Sequence, residues 1–244
     1  MIYKYIPTIV ILFGFMSCSE NSVVPHEPEI KRVDIFSLEI TEPSGVALSY
    51  DKTQLWIVGD QASKIYLTDL EGDIDDEINV GQNDMEGIAI ISDSLIAAVI
   101  EETREVIFMT PKGKHKRTVQ TGLTGEFNHG FEGITFVPGE NVLFIANEKN
   151  PELILKMDLN GNTVSQTTIN FETDVADLYY DDERNVLWIL SQESSTIYKC
   201  DLEFNLLTQF TLPTKNFEGI AVSENLIYLV SDSENELWIY EIIE

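Results

Sequence analysis

Three glutamates hold the same place in three copies of one short phrase: Glu86 in MEGIA, Glu132 in FEGIT and Glu218 in FEGIA. Two further copies read PSGVA, with Ser44 at that place, and VADLY, with Ala176 there and Asp177 beside it. A second recurring phrase is an apolar run that ends on an acid or an amide: Asp60, Glu101, Glu148 with Asn147 beside it, Gln192 with Glu193, and Asp232. Carboxylate and amide oxygens without His or Cys are hard donors, and they suit calcium or magnesium rather than zinc. Like charges brought together at low dielectric raise one another's pKa and destabilise a fold unless a cation intervenes. The bland reading is also open, because Glu-Gly ahead of a strand makes a good turn with the glutamate in water. Asp84, Asp174 and Asn216, just before the first phrases, read as turn formers.

These side chains can act together only on a scaffold that repeats. The place held by Gly45, Gly87, Gly133, Asp177 and Gly219 recurs at intervals of 42, 46, 44 and 42 residues. Each repeat adds alternating segments such as KIYLTDL, LILKMDL and TIYKCDL, closed by turns such as Asn160-Gly161. Four short strands per repeat with no helical period predict an all-β fold, a five-bladed β-propeller. The last repeat has room for only three strands. RVDIFSLEI, Arg32 to Ile40, supplies the fourth by pairing with LWIYEI, Leu237 to Ile242, which closes the ring and removes two exposed edges. The first strand of a blade leaves the disc face to which the second returns, so both acidic phrases are expected at one axial mouth.

Residues 1–18 carry Lys4, an apolar run from Ile6 to Met16, then Ser17 and Cys18. The run is shorter than the ~20 residues that cross a bilayer, and the pattern is that of a secretory signal. Cys18 directly after it is the expected lipidation site of a lipoprotein-type signal, with an ordinary signal peptide as the alternative. Residues 19–32 form a tether and 33–244 the propeller. The expected location is the bacterial cell envelope, lipid-anchored and either periplasmic or surface-exposed.

This leader, the repeated EGIA phrases and the LWIVGD, LFIANE and IYLVSD strands together resemble the SdiA-regulated family, also called YjiK/CarP-like, a distant relative of the NHL-repeat propellers. The resemblance covers Val33 to Glu244. It implies a five-bladed propeller with bound calcium at the matching positions Glu86, Glu132 and Glu218. The fourth repeat departs from the pattern at Ala176 and Asp177.

The remaining composition narrows the partners. Forty-two acidic against 15 basic residues give a formal net charge of −27, which disfavours nucleic acid and favours metal ions or a cationic or envelope partner. The membrane is reached through the lipid anchor only, and the domain is expected to be a monomer. The candidate metal set is Glu86, Glu132, Glu218, Asp177, Asn147, Glu148, Asp60 and Asp232. Two functions compete: a calcium-binding module that captures a ligand or partner, and a calcium-dependent hydrolase of lactonase, esterase or phytase type. A hydrolase needs a base beside the ion, and His129 is the candidate. Few basic residues (Arg104, Lys149, Lys215) fall near the mouth, which weighs against a phosphate substrate. The KGKHKR cluster, Lys112 to Arg117, reads as a solvated hairpin on the far face, and Cys200 as a buried core thiol. Trp56, Trp188, Phe144 and Tyr228 read as packing between blades.

Overall fold

The computed structural model describes residues 28–126, 129–149, 151–170 and 174–243. Cys18 and the leader lie outside the described residues. Among those described there is no helix, and the strands form five antiparallel four-stranded sheets. The innermost strands are Pro43–Leu48, Met85–Ser92, Phe131–Val137, Asp177–Asp181 and Phe217–Ser223. Each touches the next and the fifth touches the first, so the sheets close into a five-bladed propeller.

The second strands are apolar along their whole length because each blade is covered on both faces. LWIVG, for example, is buried at every position, as are VLFIAN and VLWILS. Five apolar clusters fill the seams, each drawn from two adjacent blades. Trp56, Phe144, Trp188 and Tyr228 each pack in a different one, and Cys200 is buried in the seam of blades three and four, where desolvation pushes its thiol up to about 12. Outer strands carry the solvated residues. In His115–Gln120 of blade two, Arg117 stacks over Phe108 while Lys112, Lys114 and Lys116 are exposed.

Ring closure follows the expected pairing. The N-terminal strand Glu29–Ser37 runs antiparallel to Glu236–Ile243, with Phe36 opposite Leu237 and Glu29 opposite Ile243. The strand begins at Glu29 rather than Val33, so Glu29 to Arg32 belong to the sheet and not to the tether. Most of its side chains are exposed, as befits the rim of a blade, with Ile30 and Phe36 half-buried against the apolar seams.

The repeated glycines are required by the axis. A Cβ on Gly87 would stand 2.5 Å from the carbonyl oxygen of Glu132, and one on Gly45 would stand 2.3 Å from that of Glu86. Neighbouring inner strands therefore touch backbone to backbone, which only glycine permits.

Candidate metal centre

Each inner strand starts, and each second strand ends, at the same end of the disc. There the acidic phrases form the lining of one axial cavity of about 270 Å³, with Glu86, Glu132 and Glu218 from the strand starts and Asp60, Glu148 and Asp232 from the returns. Glu42, Glu101 and Asp174 line it as well.

The carboxylates are not arranged with five-fold symmetry. Oxygens of Asp60, Asp84 and Glu86 lie within 4.8 Å of one another at the seam of blades one and two. A separate set, Glu101, Glu132 and Glu148, meets the same limit at the seam of blades two and three. Ser44, which stands where the other repeats have glutamate, donates its hydroxyl to Oε2 of Glu86 at 2.5 Å. Glu132 has no hydrogen bond or ion pair among the described residues. Desolvation, then the charges of Glu86, Glu101, Glu148 and Glu218, push it well above the usual carboxylate range. Burial likewise raises Glu86 to about 8, and Asp60 and Glu101 shift upward for the same first cause.

The other side of the mouth is differently made. Gln192 donates its amide to Oε1 of Glu218, although burial still pushes Glu218 to about 8. Asp174 accepts the Ser191 hydroxyl at 2.5 Å and the amides of Gln192 and Glu193 at 2.9 and 3.0 Å. Two buried carboxylate oxygens have no hydrogen-bond partner and face the cavity: Oε2 of Glu42 and Oδ1 of Asp232. An orphaned buried oxygen of this kind costs free energy unless a cation or a proton reaches it.

Two expected ligands are engaged elsewhere. Asn147 is buried, its Oδ1 accepting Nε of Arg104 at 2.9 Å and its Nδ2 donating to the carbonyls of Lys149 and Pro151 at 3.0 and 2.7 Å. Arg104 in turn donates to the carbonyls of Glu126 and His129, both at 2.8 Å, and so ties down the lip ahead of blade three. Asp177 is buried on the axis below the mouth, where a Cβ on Gly133 would come within 2.7 Å of it. Its carboxylate accepts the amides of Leu178 at 2.8 Å and of Ile220, one blade on, at 2.9 Å, and the Val46 amide also favours its charge. Burial outweighs these bonds and holds its pKa well above the carboxylate range. The one repeat without the glycine thus supplies a bolt between blades in place of a ligand.

Asp84 is both a turn former and a member of a triad. Its backbone is left-handed at φ 64 and its Oδ2 accepts the Glu102 amide at 2.8 Å. Glu42, at the same place in the first repeat with φ 48, was given no role by the sequence reading. The signal for it was present, since Glu42, Asp84, Asp174 and Asn216 share one repeat position. His129, the candidate base, has its Nδ1 3.0 Å from Oε2 of Glu148. Oε1 of Glu148 accepts Lys149 at 2.8 Å, and Lys149 also reaches Glu193 at 2.6 Å.

Among solved structures the chain is similar to virginiamycin B lyase from Staphylococcus aureus, at 13% identity and a TM-score of 0.53, over 82% of this chain and 66% of that one. It is similar also to a streptogramin B lyase (18%, 0.52, 86% and 72%) and to hydrazine synthase of Kuenenia stuttgartiensis (12%, 0.52, 80% and 57%). The chain spans under three quarters of each, and at these identities the likeness is one of fold alone. No curated protein matches the sequence. The family model described as SdiA-regulated matches residues 26–239, which takes in nearly every strand of the ring and both acidic triads, and the chain belongs to that family.

Proposed function

We propose that this chain is an envelope-anchored, calcium-binding propeller whose acidic mouth captures a ligand or partner. The observation that carries the reading is the convergence of carboxylates in one cavity, where Glu132 takes no protein donor among the described residues and Glu42 and Asp232 each offer a buried orphan oxygen. The donors fit a hard divalent ion: they are carboxylates, they are many, and the triads contain neither His nor Cys. Asp60, Asp84 and Glu86 in one seam, or Glu101, Glu132 and Glu148 in the next, would hold the ion. Calcium bound there would neutralise the mouth and offer open coordination positions to oxygen groups of a ligand.

The anchor reading rests on Cys18, outside the described residues; the first described strand starts at the end of the last blade away from the mouth, where Glu29 pairs with Ile243. The contact between His129 and Glu148 favours a second reading, a calcium-dependent hydrolase with His129 as general base.

Thermal melts of chelator-treated protein titrated with calcium test the main reading. Extracellular modules bind calcium at ~10⁻⁴ to 10⁻³ M. Binding to the native ring alone adds about 2.7 kcal/mol at a hundredfold excess over Kd. The melting temperature should rise through the millimolar range, and Glu132→Gln should remove most of the rise; a parent melt indifferent to calcium sinks the proposal. For the anchor, Cys18→Ser should abolish incorporation of labelled fatty acid, and a parent that takes up no label rules lipidation out. Turnover of lactones, esters or phosphomonoesters that is lost in His129→Ala would move the assignment to the hydrolase.

A further inference from the structure

We propose that the end of the disc away from the mouth carries a second binding site, a pocket of about 130 Å³ that takes a neutral single-ring phenol. The site is independent of any cation at the mouth.

The pocket is made by one departure from the repeat. Two residues after the glycine place, the five inner strands read Ala47, Ala89, Thr135, Tyr179 and Ala221. Four small side chains leave the axis wide below the mouth, and Tyr179 alone reaches into it. Tyr179 belongs to blade four, yet it packs against the seam of blades five and one as well as that of blades four and five. With Asp177 on the axis just above it, the tyrosine stands between the pocket and the mouth. Blades one to four line what remains of the bore.

The walls suit a ring. Ala47, Ala89, Ile90 and Phe136 offer apolar contact, and Tyr50, 67% exposed, stands at the pocket as the most exposed large apolar side chain among the described residues. An aromatic so placed has a ring face free for a partner. Apolar cavities of about 150 Å³ take up a single benzene ring. Nothing in the lining calls for an ionic ligand, because its two charged residues, Lys52 and Asp182, pair with each other at 2.6 Å.

Two hydroxyls are left over. That of Tyr179 makes no hydrogen bond among the described residues, and burial raises its pKa, so it stays protonated and able to donate. Thr135 accepts the Tyr180 amide at 3.0 Å and keeps its own hydroxyl proton for a ligand. Desolvated hydroxyls without partners cost free energy that an oxygen on the ligand would recover. A phenol ring set against the alanines, its oxygen toward Tyr179 and Thr135, meets both needs. A sugar would instead press hydroxyls on every edge against the apolar walls.

Titration of the protein with para-fluorophenol, followed by fluorine NMR, tests the site. One saturable site in the millimolar range or tighter is expected, with the same affinity in calcium and in chelator. Tyr179→Phe, which breaks no protein hydrogen bond, should weaken binding about fivefold. Tyr50→Ala should weaken it about threefold. Ala89→Leu should abolish it by filling the pocket. Melts establish that each variant is folded, and should Ala89→Leu fail to fold, the two tyrosine variants carry the test. No saturable binding by the parent, or binding that none of the variants weakens, overturns the site. Methyl glucoside that binds where the phenol does not overturns the ligand class.

Discussion

The mouth has two halves built from one repeat. On the side of blades one to three, Asp60, Glu86, Glu101, Glu132 and Glu148 crowd together; Ser44 donates to Glu86, and His129 and Lys149 contact Glu148, but Glu132 takes no donor among the described residues. On the side of blades four and five, Asp174 and Glu218 occupy corresponding places yet accept a hydroxyl, two backbone amides and a glutamine amide. Backbone geometry is shared, so the difference lies in the donors supplied: Asp174 takes three from its own blade, and Glu218 takes Gln192 from the blade before it. A carboxylate given donors is a structural acceptor, whereas one denied them is a cation ligand in waiting. Five-fold repetition in sequence therefore does not give five-fold chemistry.

The largest effect is expected where the quiet half reaches the axis. Asp177→Ala leaves the Ile220 amide without its acceptor and removes the bolt between blades, a loss of about 3 kcal/mol. Urea unfolding should show that loss equally with and without calcium. A loss that appeared only with calcium would make Asp177 part of the metal site and erase the contrast between the halves.

The pH response separates the halves next. Glu86 and Glu218 are both raised from 4.5 to about 8 by burial, so each contributes stability that is complete below pH 4.5 and lost as pH rises through 8. Without calcium the protein should be more stable near pH 5 than near pH 9. With calcium, the stability due to Glu86 should be recovered at high pH, since the ion replaces the proton, while the loss due to Glu218 should remain. Denaturant melts of Glu86→Gln and Glu218→Gln across this range distinguish them; identical calcium rescue in both would return the five-fold ring.

The smallest change is the most pointed. Gln192→Glu withdraws the amide from Glu218 and sets a second carboxylate against it and Asp232. Stability without calcium should fall by about 1 kcal/mol, and calcium should restore it. Melts that show no greater calcium response than the parent would mean that donors are not what keeps this half quiet.

The architecture was legible because its causes are local or strictly periodic. Second strands covered on both faces must be apolar throughout, and inner strands in backbone contact must carry Gly45, Gly87 and Gly219. The acids at the mouth were legible as a group for the same reason. Their individual roles were not, because those are set by partners from another blade: Ser44 for Glu86, Arg104 for Asn147, Ile220 for Asp177. No spacing within one repeat encodes such a contact. The start of the first strand was missed for the opposite reason, since Glu29 to Arg32 lie on a mostly exposed rim where Ile30 alone packs against the core, too little for a pattern to register.

The closing pair of strands has a consequence in time. Glu29–Ser37 is the earliest of the described strands to be made, and its partner Glu236–Ile243 is the last. Until that partner arrives, the first strand has no ladder to join and the first blade no neighbour on one side. Pairing the ends then requires closure of a loop as long as the propeller itself, and such non-local contacts form slowly. Assembly of this disc is therefore late and all at once: the chain waits, with sheet edges open to other chains, for its final residues to complete the blade its first strand begins.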